Sequence, residues 1–418
     1  MGRANPKPTV IRGANPHMAT ETVTLSGHIV DSLLLAKVLD TIVDAGIAYE
    51  LVQVDIGRTN TDASTARIKL DGAQEVLERL LDELQLHGAN RVSPGTTTLV
   101  AADTDGVLPV GFYSTTNLAT DVLVDAQWLS IENPEMDCAV VIADGTARTV
   151  PMHRVRVGDQ IVVGSGGVRV HAPETLRGAS VFEFMSSEVS SEKPKALIVR
   201  KVADRIRAAR AAGSKVLAVC GPAVVHTGGA PDIARLVEAG WINVLFAGNG
   251  FATHDIESNV LGTSLGVSLS EGTSTEGGHS NHLRVINEIR RHGSIAAAVE
   301  AGYVTGGAMA ACVRKDVPFV LGGSIRDDGP LPDVLTDTAA AADAMRAHVP
   351  GVAVALMLAS TLHAIAVGNC LPAGVETFCV DINQAVVTKL ADRGSHQALG
   401  IVTDVGPFLG HLADELGA

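Results

Sequence analysis

No run of apolar residues in this 418-residue chain reaches bilayer-spanning length, and its lysines and arginines nowhere cluster beyond short helical pairs. With a formal net charge of -14, the second absence argues against nucleic acid or an anionic membrane surface as partner. The five cysteines, Cys138, Cys220, Cys312, Cys370 and Cys379, are scattered and odd in number and form no C-x-x-C pair. That spacing excludes a disulfide framework and a zinc knuckle, and points to a reducing, cytoplasmic compartment. The first residues lack the apolar core of a signal peptide. Residues 1–20, rich in Pro, Asn and Gly, read as a disordered leader or an expression remnant. The G-x-G-x-x-G fingerprint of ordinary dinucleotide-binding domains is also missing.

What is present is a pair of buried strands, each running into a glycine-rich loop and then a helix, within Val216 to Gly266. Glycines after a strand let the backbone approach a ligand, and the amides that open the next helix favour an anion such as a pyrophosphate. Further apolar runs near 317–321, 352–358, 377–380 and 399–402 alternate with helix-length segments, the pattern of an open parallel sheet. Ligands of such a sheet sit beyond the carboxyl ends of its strands, so the loops GPAVVHTGG, GNGFATHD, GGSIRDDGP, ASTLHAIAVGN, DINQ and TDVG are expected to converge on one site.

Upstream, residues 21–95 read as β-α-β-β-α-β, a ferredoxin-like α+β module. Residues 96–185 carry short alternating runs such as RVRVGDQIVVGSGGVRV and read as a small β-rich domain. The doubly wound α/β domain then occupies 186–418, behind a Ser/Glu/Lys/Pro linker.

Several residues have the chemistry for a site. Asn249 and Gly250 follow the second strand, either as cofactor contacts or as a turn-forming pair. One turn later comes His254-Asp255, in which Asp255 either orients His254 as an acid or base or simply caps a helix. Arg326 between Ser324 and the carboxylates Asp327 and Asp328 can hold an amino acid's carboxylate, or it pairs structurally in a tight turn. Asp381 and Asp404 end strands where an acid typically grips ribose hydroxyls. Thr116 and Asn117, in a hydroxyl-rich run, can reach a substrate across a domain cleft. The histidines of His279 to His282 lack a third ligand at a defined spacing, so no metal is expected. Cys138 and Cys312 have no histidine partner and read as packing.

Taken together, the loops GPAVVHTGG, AGNGFATHDIE, GGSIRDDGPLP, LASTLHAIAVGN, CVDINQAVVTKLADRG and IVTDVG resemble the LOR/SDH conserved-region family. It includes archaeal-type NAD-dependent ornithine cyclodeaminases and the C-terminal half of bifunctional arginine dihydrolase/ornithine cyclodeaminases. The resemblance spans nearly the whole chain from about residue 21. It implies an NAD-binding domain related in fold to deoxyhypusine synthase, with NAD contacts at Asn249, Gly250, Asp328, Ser360, Thr361, Leu362, His363, Asp381, Asp404 and Val405. Two positions depart from the family pattern, which has Ala where Gly250 stands and Thr-Met where Ser360-Thr361 stand. Backbone contacts would survive both changes. The implied reaction is redox-neutral, L-ornithine going to L-proline and ammonia, with Asp327 or His254 as base, Arg326 on the carboxylate and Asn117 or Thr116 closing the pocket. The alternatives are an NAD(P)-dependent amino-acid or opine dehydrogenase of the saccharopine type, and a non-catalytic NAD and amino-acid sensor. A dimer or tetramer is expected, because a ferredoxin-like module can pair with its copy.

Overall fold

A computed structural model of the chain describes residues 18–30, 34–58, 62–171, 193–264, 267–268, 280–327, 329–386, 389 and 398–418. The expected leader up to residue 17, most of the linker, Asp328 and His279 lie outside these residues.

The first elements are β1 (Met18–Gly27), α1 (Leu34–Asp44), β2 (Ala48–Asp55), β3 (Ser64–Ala73), α2 (Gln74–Leu86) and β4 (Asn90–Arg91). Their antiparallel sheet has the order β2-β3-β1-β4. This is the expected ferredoxin-like arrangement. Alternation explains it: Ala66, Ile68 and Leu70 of β3 point inward to Leu77, Leu81 and Leu84 of α2, while Arg67 and Lys69 point out. In β2, by contrast, every residue is exposed.

Short strands follow: β5 (Thr98–Ala101), β6 (Thr120–Val124), β7 (Gln127–Glu132), β8 (Ala139–Ala143), β9 (Thr146–Val150), β10 (Gln160–Val163) and β11 (Val168–Val170). By contact density the chain separates into two units. Residues 121–127 and 165–171, carrying most of β6 and all of β11, cluster with the N-terminal module. The second unit holds β5 and β7 to β10, in the order β7-β9-β8-β10-β5, together with the C-terminal α/β domain. The run Arg154 to Val157, read as a strand from its alternation, is instead the end of a single 3-10 helix leading into a turn at Val157.

The α/β domain comprises α3 (Lys193–Ala211), β12 (Lys215–Cys220), α4 (Ala223–His226), α5 (Ala230–Glu238), β13 (Val244–Gly248) and α6 (Asn249–Leu261). After the short β14 (Thr263–Ser264) and β15 (Val267–Ser268) come α7 (Asn281–His292), α8 (Ile295–Glu300), α9 (Gly307–Arg314), β16 (Phe319–Gly322) and β17 (Val334–Leu335). It closes with α10 (Thr338–His348), β18 (Val352–Leu358), α11 (Leu362–Cys370), β19 (Glu376–Asp381), β20 (Ala398–Val402) and α12 (Val405–Leu416).

The sheet is parallel throughout, in the order β17-β16-β13-β12-β18-β19-β20. Leaving out the two-residue edge strand β17, this is 3-2-1-4-5-6, the order of doubly wound dinucleotide-binding sheets. Both faces are covered, which is why its strands read as continuous apolar runs. Val216, Ala218 and Cys220 of β12 face the layer of α3, α5, α6 and α12, whereas Leu217 and Val219 face α10 and α11.

Candidate functional site

The direction of winding reverses at β12. From it the chain steps to β13 and β16 on one side, and later to β18, β19 and β20 on the other. A crevice therefore opens at the carboxyl ends of β12 and β18. Gly221 stands there, and its backbone passes so close to the neighbouring strand that a Cβ would lie 1.8 Å from the carbonyl oxygen of Ala359. Ala359 itself adopts a left-handed φ of 46° to turn the chain away. Gly229 provides the second close approach, where a Cβ would meet Leu409 of α12 at 2.9 Å. The close-approach roles that a G-x-G-x-x-G motif concentrates in one loop are thus divided between Gly221 and Gly229.

Two helices that begin beside the crevice have no side-chain cap. These are α6, preceded by Gly248, and α11, preceded by Thr361. Uncapped N-terminal amides carry partial positive charge and can donate to a phosphate oxygen. The third helix of the rim differs, because Asp404 caps α12 by accepting from the Gly406 N–H at 3.0 Å.

Nine of the ten cofactor candidates lie within the described residues, all at strand carboxyl ends. Asn249 is buried and its Oδ1 accepts from Leu331 N at 3.0 Å, which ties the start of α6 to the β16–β17 loop. Gly250 lies against Pro222, where a Cβ would come within 3.2 Å of the ring. Ser360, Thr361 and Leu362 line the α11 entrance, with Leu362 80% exposed. His363 is tucked beneath β13 and β16: a Cβ on Gly248 would come within 2.9 Å of its ring, and one on Gly322 within 3.4 Å. Burial pushes its pKa down, opposed by the nearby Asp327 carboxylate. Asp381 is nearly buried and holds its own turn by accepting from Asn383 N at 2.8 Å. Val405 is buried at the first turn of α12.

Asp327 accepts from Ser324 N at 2.8 Å, and Arg326 donates its backbone N–H to Ser324 Oγ at 3.1 Å. Both bonds tighten the loop after β16 and leave the Arg326 side chain exposed.

His254 occupies a buried polar cluster rather than a pair with Asp255. The Asp255 carboxylate points the other way and accepts from Ala308 N at 2.9 Å and Met309 N at 2.8 Å, which secures the start of α9. Burial raises its pKa to about 6, against the lowering effect of those two amides. The partner of His254 is Glu257, one helical turn on and fully buried. Its Oε2 lies 2.8 Å from His254 Nδ1. Glu257 Oε1 accepts from Thr263 Oγ1 at 2.7 Å, and Thr263 in turn accepts from Asn281 Nδ2 at 2.9 Å. His226, the last residue of α4, packs its ring 5.0 Å from that of His254 and places its Nδ1 2.7 Å from Ser264 Oγ. Burial lowers the His226 pKa, reinforced by His254 and opposed by Glu257. The ring of His282 lies 6.4 Å from that of His254. Sequence reading missed His226, Glu257, Thr263 and Asn281. The signal available for Glu257 was its i,i+3 spacing from His254.

Thr116 and Asn117 are not brought to this crevice. The Asn117 carbonyl accepts from Ala373 N at 2.8 Å, ahead of β19, and Met136 N donates to Asn369 O at 2.9 Å. Both contacts lie at the amino ends of the strands, about 17–20 Å from the rim across a six-residue strand. Charged groups hold the β-rich part there. Arg346 of α10 chelates Glu135 at 3.0 and 2.9 Å, and Asp343 binds Arg154 and His153. Thr116 Oγ1 accepts from Leu118 N at 3.3 Å within its own turn.

Burial pushes the Cys312 thiol up to about 12 and that of Cys138 far above its ordinary range, so neither is a nucleophile. Among the described residues no group of three or more His, Cys, Asp or Glu side chains is arranged to hold a metal ion. No helix among them is long and apolar enough to cross a membrane.

Comparison with known proteins agrees along residues 20–412. Residues 20–118 match the LOR/SDH bifunctional enzyme conserved region, 119–199 the first C-terminal region of ArgZ-like arginine dihydrolases, and 200–412 their C-terminal Rossmann fold. An ornithine cyclodeaminase of Methanopyrus kandleri is 50% identical over 400 residues, 95% of this chain and 97% of that protein. A crystal structure of a LOR/SDH protein from Methanococcus maripaludis, 46% identical, superposes with a TM-score of 0.72 over 77% of this chain and 98% of that one. The ternary complex of AgrE with ornithine and NAD+ is 41% identical and superposes with a TM-score of 0.53, covering 97% of this chain and 58% of the longer AgrE. The chain therefore belongs to the LOR/SDH family with ArgZ-like C-terminal regions, the family of the archaeal ornithine cyclodeaminases.

Proposed function

We propose that this protein is an NAD-dependent ornithine cyclodeaminase, converting L-ornithine to L-proline and ammonia. The observation that carries the reading is the pair of uncapped helix starts, α6 and α11, flanking the switch point of a 3-2-1-4-5-6 sheet. A relative of the same family crystallises with ornithine and NAD+.

NAD fits the residues present. The backbone at Gly221 and Gly248 leaves no room for side chains, the α11 amides are free of a side-chain cap, and Asp381 stands at the end of β19. Ser360, Thr361, Leu362 and His363 would line the pyrophosphate, Asp381 would take a ribose, and Asn249, Gly250, Asp328, Asp404 and Val405 would complete the rim. When bound, the cofactor supplies reversible hydride acceptance at C2 of the amino acid.

The chain's own residues then orient the amino acid and manage its protons. Arg326 is free to bind the α-carboxylate bidentately. His254, with its Nδ1 held by Glu257, takes a proton from the substrate ammonium at Nε2. The turned loop of Asp327 keeps a carboxylate beside His363. Loss of ammonia needs a proton delivered to the departing nitrogen, and ring closure needs one removed from the δ-amine, so no net proton is consumed. Five buried thiols and an acidic surface suit a cytoplasmic enzyme, and its module of β1 to β4 suits pairing into a homo-oligomer.

Purified protein incubated with NAD+ and separately with ornithine, lysine or arginine tests the reading by mass analysis. Proline and ammonia from ornithine, without lasting NADH absorbance, is the expected result. Stoichiometric NADH would make the protein a dehydrogenase, and binding without product a sensor.

A further inference from the structure

The cluster beneath the β12 and β13 loops has a fixed direction of hydrogen bonding that the cofactor site does not require. Asn281 Nδ2 can only donate, so Thr263 Oγ1 accepts from it and sends its own proton to Glu257 Oε1. Glu257 Oε2 then remains for His254, and a carboxylate in that position must receive a proton from Nδ1. His254 is thereby held with its proton on Nδ1 and a lone pair on Nε2. His226 Nδ1 is engaged as well, by the Ser264 hydroxyl, which can either donate or accept. No hydrogen bond is recorded for either Nε2 among the described residues. The ring centroids are 5.0 Å apart, near enough for one water to bridge the two rings. The titratable groups recorded facing His254 are Glu257 on its own helix, His226 at the end of α4 and His282 on α7. Asp255 is turned away to α9.

We infer that Glu257 is a positioning residue that sets the His254 tautomer, and that His254 and His226 together form a two-imidazole proton relay for the amino-acid substrate. The inference rests on the ornithine reading above. His254 Nε2 accepts a proton from the substrate's α-ammonium, the proton is shared with His226, and it returns to the same nitrogen as ammonia leaves. One N–H bond breaks and one forms in each direction. Neither oxidant nor reductant enters these transfers.

The test is Glu257→Gln. Glutamine has the same shape, accepts from Thr263 through Oε1 and offers an N–H to His254 Nδ1, which forces the ring proton to Nε2. Long-range 15N–1H NMR of the ligand-free protein reads the tautomer directly, with the His254 signals assigned by their loss in His254→Asn. The expected result is an Nδ1–H ring in the parent and an Nε2–H ring in the variant. For ornithine turnover, kcat should fall about 10²-fold or more, as for loss of a general base, with KM within about threefold. The kcat limb set by the relay should also disappear from the pH profile. An Nε2–H ring in the parent, or an unchanged tautomer and pH profile in the variant, overturns the inference. If Glu257→Gln does not fold, Thr263→Val removes one donor from the carboxylate at nearly constant volume, and an unaltered His254 pH titration there overturns it equally. Failure of the parent to turn over ornithine, with the tautomer switch intact, would instead count against the ornithine reading.

Discussion

Replacing Asp255 by Asn separates two roles that its place beside His254 in sequence confuses. The carboxylate is fully buried, accepts two backbone N–H groups at the start of α9, and sits against Gly307, where a Cβ would come within 2.8 Å of both its oxygens. Its pKa is about 6 in the folded protein against 3.8 as reference. Because the folded value is the higher, the stability this group contributes is present in full below about pH 3.8 and is lost as pH rises through about 6. The difference between those two values corresponds to roughly 3 kcal/mol. Asn carries no charge to desolvate but turns an amide toward one of the two N–H groups, at a cost of about 1–3 kcal/mol. The stability of the parent relative to Asp255→Asn should therefore fall by roughly 2–3 kcal/mol between pH 4 and pH 8. Urea unfolding at several pH values, followed by Trp241 fluorescence in the α/β domain, measures it. A difference that stays flat or grows with pH would mean that the two amides outweigh burial and keep the carboxylate ionised. The same variant should keep the His254 tautomer, since Glu257 sets it.

Three further perturbations address the frame of the site. Gly221→Ala should weaken NAD binding more than tenfold in calorimetry and lower the melting temperature, because its Cβ has no space beside Ala359. Asp381→Ala should raise the NAD Kd by about 10–100-fold, the value of a hydrogen bond to a charged group, with little change in melting temperature. Arg346→Ala leaves Glu135 buried without its chelating partner and should cost about 3 kcal/mol. Arg346→Met combined with Glu135→Gln should recover part of that loss, and no recovery in the pair would show that the ion pair is not the cause.

Elements with a strong local signature were legible in the sequence. The six long strands of the parallel sheet are buried on both faces and read as apolar runs, and the loops that follow them gather where a doubly wound sheet gathers them. β17, two residues long, carries no periodic signal. The G-x-G-x-x-G fingerprint is missing because Gly221 and Gly229 divide its work between strand and helix contacts. Asp255 was paired with His254 by adjacency, yet neighbours on a helix point about 100° apart while residues three apart share a face. That geometry gives His254 to Glu257 and Asp255 to α9. Thr116 and Asn117 had hydrogen-bonding capacity but no local signal of which end of the sheet they meet. The Arg346–Glu135 contact that decides it spans residues far apart in the chain.

In the proposed cyclodeaminase reaction, ornithine is oxidised and then reduced at the same carbon within one turnover. Ornithine deuterated at C2, supplied with catalytic NAD+, measures this directly by mass spectrometry of the product. Proline that keeps the deuterium, formed in many-fold excess over cofactor with an equal amount of ammonia, is the predicted result. Deuterium accumulating in NADH, or proline formed without it, would contradict the claim.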